Sequence, residues 1–184
     1  MNRVTKHTEV EIPETMRDLD VTSLGYLKPW FVKADDFRVV DVDKAWMSIG
    51  KKACWICGKP FKPNEFAMVG DANCAALRVY TEPPCHADCA VYAAQVCPFM
   101  LYPNAKRRTA GLEEDETLAH RNESADVLIK EENPGEYFIV VVNDFDFSNE
   151  HHVMTFPQEN ILEIQYWIGG TRQAEVPDPI VPVA

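Results

Sequence analysis

The sequence predicts the α+β fold class, with a small mixed sheet and helices packed on it. Residues 136–147, "EYFIVVVNDFDF", form a continuous β-branched and aromatic run, which is typical of a strand buried on both faces. Residues 87–96, "ADCAVYAAQV", are rich in alanine and favour a helix. Strand and helix patterns do not alternate regularly along the chain, so we expect local strand pairs rather than a parallel sheet.

Local patterns in the first half of the chain predict two short strands, a helix and a hairpin. The strands are Trp30–Lys33 and Phe37–Val40, joined by a turn. Residues 41–53 predict a helix with an aspartate near its start. Residues 65–70 and 76–81 predict the two strands of a hairpin.

The second half predicts two helices and one more strand. Residues 112–132 favour an interrupted helix, which ends at the breaker Asn133-Pro134-Gly135. Residues 151–156 predict a strand that pairs with the run at 136–147. Residues 157–170 predict a helix that begins at Pro157, a residue favoured in the first helical turn.

The chain of 184 residues predicts one domain. We expect a weakly ordered arm at 1–25, the domain at 26–175 and an extended tail at 176–184. With 46% hydrophobic residues, such a domain can bury a core without disulfides. The sequence shows neither an apolar run of roughly 20 residues nor a secretory signal, so we expect a cytoplasmic protein with reduced thiols and no membrane association.

Five of the six cysteines lie in two short pieces of sequence. Cys54 and Cys57 have C-x2-C spacing and are followed by a glycine that can take a positive φ. His86 and Cys89 have the same spacing at the start of the predicted helix, so their side chains share one face. A zinc knuckle (here the turn with Cys54 and Cys57), a hairpin and a helix that supplies two further ligands form a treble clef. Three cysteines and one histidine are a common ligand set of structural zinc. We therefore predict one structural Zn²⁺ in a treble-clef-like module at 54–98.

Other interpretations of the cysteines stay open. Cys85 could replace His86 as the fourth ligand, although the x2 spacing from Cys89 favours His86. A redox dithiol shares the C-x2-C spacing, but no βαβ opening precedes it here. We expect Cys74 and Cys97 to be small buried hydrophobic residues.

Several stretches resemble, in order, a family of small uncharacterised bacterial and bacteriophage proteins. They are "GYLKPWFV", "DFRVVD", "CWICGKPF", "NCAALRVYTEPPCHADCAVYAAQVCPF" and "WIGGTRQAEV". The family pattern is C-W-V-C-G, then P-P-x-H-x-x-C, then C-P-F, and it matches Cys54, Cys57, His86 and Cys89. The family has a serine where this chain has Cys85, which favours His86 as the ligand. The resemblance implies a bacterial or phage origin and no known activity.

The net charge of −11 is unevenly distributed. Residues 44–110 carry nine Lys/Arg against four Asp/Glu, whereas residues 111–184 carry three against sixteen. The basic residues predict a nucleic-acid surface as an alternative function. They are Lys51, Lys52, Lys59, Lys62, Arg78, Lys106, Arg107 and Arg108. The acidic half instead favours a protein partner with a basic surface, which this chain would bind as an inhibitor or decoy. The binding residues would include Glu113, Glu114, Asp115 and Glu116.

Catalysis finds little support in the sequence. A closed Cys3His site leaves no position for water or substrate. A metal-dependent nuclease or other hydrolase is the third hypothesis, because His151 and His152, in the loop after Asp144 and Asp146, could bind a hard metal. We expect these histidines to be solvent-facing turn residues. The sequence therefore favours a non-enzymatic interaction protein that binds a protein partner.

Overall fold

The computed structural model describes residues 9–33, 40–102, 104–106 and 132–178. These residues contain four helices and two antiparallel sheets, which confirms the α+β class. The helices are α1 (Val42–Ile49), α2 (Ala72–Leu77), α3 (Ala87–Val96) and α4 (Pro98–Leu101). The strands are β1 (Phe66–Gly70), β2 (Val79–Tyr80), β3 (Glu136–Val142), β4 (Asp146–Ser148), β5 (Val153–Thr155), β6 (Ile161–Ile168) and β7 (Thr171–Arg172).

Strand β3 is the centre of the fold. The larger sheet has the order β1-β3-β6-β7, and the smaller sheet has the order β2-β5-β4. Alternate residues of β3 point to opposite faces, so Ile139 joins a core with α3 while Phe138 and Val140 join a second core with β2 and β5. The prediction that this strand is buried on both faces is confirmed.

The predicted helix at 157–170 is wrong. Gln158–Asn160 form a single 3₁₀ turn, and the chain then becomes β6. Strand β6 pairs antiparallel with β3 from Glu136 opposite Ile168 to Val142 opposite Ile161. Its β-branched and aromatic residues suit this pairing, which overrides the helical spacing of the apolar positions.

The predicted hairpin of residues 65–70 with 76–81 is also wrong. Strand β1 pairs with β3, and β2 pairs with β5. Helix α2 occupies residues 72–77 because the Asp71 side chain caps it, accepting a hydrogen bond of 2.9 Å from the Cys74 N–H.

Other predicted elements are present. Helix α1 is confirmed, and β5 pairs with β4, the last part of the run at 136–147. The strand pair at 30–40 is represented by one bridge between Val32 and Val40, while residues 34–39 lie outside the described part. The predicted helix at 112–132 lies outside it too, except for Glu132. Met16 is buried in the core with α3, so the N-terminal segment contributes to that core.

Candidate metal centre

The first half of the candidate centre is a tight turn from Cys54 to Cys57. The Gly58 N–H donates to the Cys54 carbonyl and the Cys54 N–H donates to the Lys59 carbonyl, both at 2.8 Å. Gly58 has a φ of +72°, and a Cβ there would lie 2.5 Å from Cγ of Trp30. Glycine is therefore required both by the turn and by the packed indole.

The second half is the start of α3. His86 is the N-cap residue with extended backbone, and Cys89 lies in the first turn. The preceding residue, Cys85, exchanges two backbone hydrogen bonds with Ala67 of β1, at 2.8 and 2.9 Å. This bridge fixes the start of α3 against the central sheet. The knuckle and helix of the predicted treble clef are present, whereas the predicted hairpin between them is replaced by α2 and by this bridge.

These two halves bring Cys54, Cys57, His86 and Cys89 together. Their ligand atoms all lie within 4.8 Å of one another. Nδ1 of His86 is 3.3 Å from Sγ of Cys57 and 3.8 Å from Sγ of Cys89. A tetrahedral ion with Zn–S of about 2.3 Å and Zn–N of about 2.0 Å would set this separation at roughly 3.5 Å. The cluster could hold a metal ion.

Burial closes the cluster on all sides. The exposed fraction is 0% for Cys54 and Cys89, 4% for His86 and 6% for Cys57. The His86 N–H donates to Sγ of Cys54 at 3.3 Å, and the Cys57 N–H reaches the same sulfur at 3.5 Å. Such backbone donors stabilise a thiolate in a site that water does not reach.

The imidazole of His86 is oriented by its other nitrogen. Nε2 lies 3.0 Å from the Pro60 carbonyl oxygen, which can accept only from a protonated nitrogen. Nδ1 is thereby left to face the sulfurs. Phe61 packs edge-on against the ring at 5.3 Å. A backbone carbonyl on the distal nitrogen is a common support for a metal-binding histidine.

Crowding in the cluster shifts the pKa values of Cys57, His86 and Cys89 in different directions. The pKa of Cys57 falls far below its usual value, chiefly because Cys54 donates a hydrogen bond to it. Hydrogen bonds with Cys54 and then Cys57 raise the pKa of His86 to about 10. The pKa of Cys89 is raised, with the Cys54 contact as the first cause. Cys57 therefore ionises more readily than Cys89, and the thiolate is the form that binds a cation.

The three other cysteines lie apart from this cluster. Cys85 is buried, and its Sγ lies 3.5 Å from the Ala67 carbonyl oxygen. Burial raises its pKa well above the usual value. Cys74 is buried in the second core, and Cys97 is half-buried at the end of α3. The geometry thus groups His86, and not Cys85, with the three cysteine ligands.

The predicted nucleic-acid residues do not form a free basic surface. Lys51 contacts Asp144, Lys59 pairs with Asp18 at 2.7 Å, and Lys106 pairs with Glu132 at 2.5 Å. Lys52 and Lys62 are exposed and Arg78 is half-buried, while Arg107 and Arg108 lie outside the described residues. Half of the described set is therefore neutralised by carboxylates, and nucleic-acid binding stays a prediction.

The histidine pair at 151–152 is placed in the turn between β4 and β5. His151 lies 3.9 Å from a Glu150 carboxylate oxygen, and the ring of His152 stacks on Phe147 at 6.4 Å. Asp144 is engaged by Lys51. Among the described residues, the Cys3His cluster is the one group of potential ligands close enough to hold a metal.

Two contacts of the centre were missed by sequence reasoning. Thr15 Oγ1 lies 3.3 Å from Sγ of Cys89, although the two residues are 74 positions apart. The Pro60 carbonyl supports His86, and a backbone acceptor has no side-chain signature in the sequence. Neither contact had a local signal that could have revealed it.

Comparison with known proteins found no relative of this chain. No family model, curated protein or solved structure matches this chain. The described helices also include none with the length and apolar character needed to cross a membrane.

Proposed function

We propose that this chain is a non-enzymatic interaction protein whose fold is stabilised by one zinc ion. The buried Cys3His cluster carries the proposal. Zinc would be held by Cys54, Cys57, His86 and Cys89. Three sulfurs and one imidazole nitrogen form a donor set that suits zinc, and a closed four-ligand shell is typical of a structural site.

The zinc would act as a cross-link rather than as a catalyst. It would join the knuckle to the first turn of α3 across 28 intervening residues. Catalytic zinc keeps a position for water or substrate, whereas these four ligands are at most 6% exposed. In such a site the free energy of metal binding contributes directly to the free energy of folding.

Helix α1 supports the interaction part of the proposal, because it exposes several large apolar side chains while a serine is buried. Its buried residue is Ser48, which donates to the Pro84 carbonyl oxygen at 3.1 Å. Val42, Trp46 and Met47 are instead 42%, 48% and 45% exposed. Trp46 also packs edge-on against Phe147 at 5.7 Å. Clustered exposed apolar side chains that include tryptophan are typical of protein-binding surfaces.

The charges around this α1 face favour a basic partner. Lys44 and Lys51 are paired with Asp41 and Asp144, so these lysines add little free positive charge. Exposed acidic residues of α1 and of the β4–β5 hairpin add to the net charge of −11. They are Asp43, Asp146 and Glu150. The partner we propose is a protein that presents apolar side chains flanked by lysine and arginine.

The inhibitor or decoy role is part of the same proposal. Its acidic residues Glu113, Glu114, Asp115 and Glu116 lie outside the described part of the chain. A partner that normally binds nucleic acid would be attracted by the negative charge of this segment. Reversing those four charges should weaken binding of such a partner, and unchanged binding would remove the basis for the decoy role.

The test combines metal analysis with partner capture. Elemental analysis of the purified full chain should give one zinc per chain, and Cys57→Ser should lose it. Tagged wild type, Trp46→Ala and Leu77→Ala are then used for capture from nuclease-treated bacterial lysate. Leu77 is the control because it is 62% exposed on a different helix.

The partner should be a basic protein that binds wild type and Leu77→Ala equally and Trp46→Ala at least about tenfold more weakly, as expected for a central aromatic contact. Binding of the purified partner should weaken with salt. Equal binding of Trp46→Ala would contradict the α1 surface. A parallel capture from untreated lysate covers the alternative function, which recovery lost on nuclease treatment would support.

A further inference from the structure

The segment from Pro13 to Leu19 lies against the candidate metal centre. Backbone hydrogen bonds from Met16 N–H to the Pro13 carbonyl and from Leu19 N–H to the Met16 carbonyl fold it into two short turns. The side chain of Met16 is 2% exposed and belongs to the same core as Cys89. This packing places Thr15 over the sulfur of Cys89, at 3.3 Å.

The same segment also reaches the knuckle half of the centre. Asp18 forms an ion pair of 2.7 Å with Lys59, whose carbonyl accepts the Cys54 N–H. The ion pair lowers the pKa of Asp18, mainly through the hydrogen bond from Lys59. One short segment therefore contacts the helix side of the centre through Thr15 and the turn side through Asp18.

We infer that the segment 13–19 is a latch that controls how fast zinc exchanges at the Cys3His centre. The inference rests on the proposed zinc site and adds its regulation. A zinc-bound Cys89 is a thiolate and cannot donate, so the Thr15 hydroxyl donates to it. This hydrogen bond occupies a lone pair of the sulfur and holds the Cys89 side chain in its position toward the metal. The segment also covers the sulfur, so a chelator has to displace it before reaching the metal.

The latch can open while the central sheet stays folded, because it does not pack against α3 along its full length. A cavity of about 460 Å³ separates the N-terminal segment from the exposed side of α3. It is lined on one side by Ile12 and Pro13 and on the other by Val91 and Gln95. The segment is held by Met16 and Leu19 in the core with α3, by the Thr15 contact and by the exposed Asp18 pair. A short segment outside the central sheet opens at lower free energy than the sheet itself.

The experiment measures transfer of zinc from the full chain to excess EDTA. Thr15→Val removes the hydroxyl while keeping the shape, and Asp18→Asn removes the charge pair. Thr15→Ser keeps a hydroxyl and is the matched control. Glu14→Gln changes a neighbouring exposed residue that pairs with Arg17. Elemental analysis first establishes the zinc content of each variant, and circular dichroism establishes that each is folded.

All variants should carry one zinc. Thr15→Val should release it about 10-fold faster or more, in the range seen when supporting contacts of metal ligands are removed. Asp18→Asn should give a smaller acceleration, since the pair is exposed. Thr15→Ser and Glu14→Gln should match wild type.

Two outcomes would overturn the inference in distinguishable ways. Zinc-loaded Thr15→Val and Asp18→Asn that both release zinc at the wild-type rate would refute the latch and leave the zinc site intact. Wild type that carries no zinc would refute the proposed function, and the latch with it. If Thr15→Val fails to fold, the comparison of Asp18→Asn with Glu14→Gln decides the question alone.

Discussion

Nε2 of His86 lies 3.0 Å from the carbonyl oxygen of Pro60. Because a carbonyl only accepts, Nε2 carries a proton, and Nδ1 is the nitrogen left to bind a metal once the ring is neutral. Nδ1 faces Cys57 and Cys89 at 3.3 and 3.8 Å. The turn that carries the two knuckle cysteines thus also orients the histidine supplied by the helix.

Position 86 should accept cysteine but not alanine. His86→Cys can restore a four-ligand shell, whereas His86→Ala opens one position to water, so we expect the first to keep one zinc and the second to bind it at least about 100-fold more weakly. Competition with a chromophoric chelator measures both affinities. Equal affinities for the two variants would show that residue 86 is not a ligand.

Gly58→Ala should destabilise the protein more than Gly135→Ala. Both glycines have positive φ, at +72° and +83°, so each substitution costs about 1 to 2 kcal/mol of backbone strain. A Cβ at 58 would also lie 2.5 Å from Trp30, whereas nothing lies within 4 Å at 135. Overpacking should add about 1 to 3 kcal/mol at 58. Denaturant unfolding measures the difference, and equal losses would contradict the packing described for the knuckle.

Ser48→Ala should lower the free energy of unfolding by about 1 kcal/mol, the usual net value of one hydrogen bond. Ser48 is fully buried and donates to the Pro84 carbonyl, which also accepts the Trp55 N–H at 3.0 Å. The carbonyl therefore keeps a partner, and the loss stays modest. Ser23→Ala, at an exposed position, is the control and should change stability little. An unchanged free energy of unfolding in Ser48→Ala would argue against the anchoring of α1 by this hydrogen bond.

Lys51→Met should raise the pKa of Asp144. The hydrogen bond from Lys51 holds this pKa below the ordinary value of 3.8. A lowered pKa in the folded state stabilises the protein above the unfolded pKa, and this contribution is lost as pH falls through the folded pKa. Because the pair is exposed, the stability effect should be small.

The check on this pair is a carboxyl-carbon NMR titration of Asp144. Its midpoint should move up toward 3.8 in Lys51→Met and stay in place in Lys52→Met, which changes the neighbouring exposed lysine. An unmoved midpoint in Lys51→Met would mean that Lys51 is free in solution. It would then be available to the nucleic-acid surface after all.

The four candidate ligands could be predicted because metal binding imposes a short, local spacing. Cys54 and Cys57 must share a turn, and His86 and Cys89 must share a helical turn, so both pairs leave a signature in the sequence. The latch residue Thr15 leaves none, since its contact with Cys89 depends on the folded path of the chain. A single sequence does not reveal contacts between residues that are far apart along the chain.

Strand β6 shows the same limit. Ile161, Ile164 and Ile168 fit a helical stripe, and Gln165 looks like a residue of the polar face. In the fold Gln165 and Trp167 are the buried pair, and the Trp167 indole N–H donates to the Gln165 side-chain oxygen at 3.2 Å. Pairing with β3 decides which side chains of β6 are buried, and the local sequence pattern does not reveal that pairing.

X-ray absorption at the zinc edge of the purified full chain tests the central claim most directly. The account predicts a first shell of three sulfur atoms at about 2.3 Å and one nitrogen at about 2.0 Å. A shell of four sulfurs would place Cys85 in the site instead of His86. A shell dominated by oxygen and nitrogen, or no bound zinc, would contradict the Cys3His centre itself.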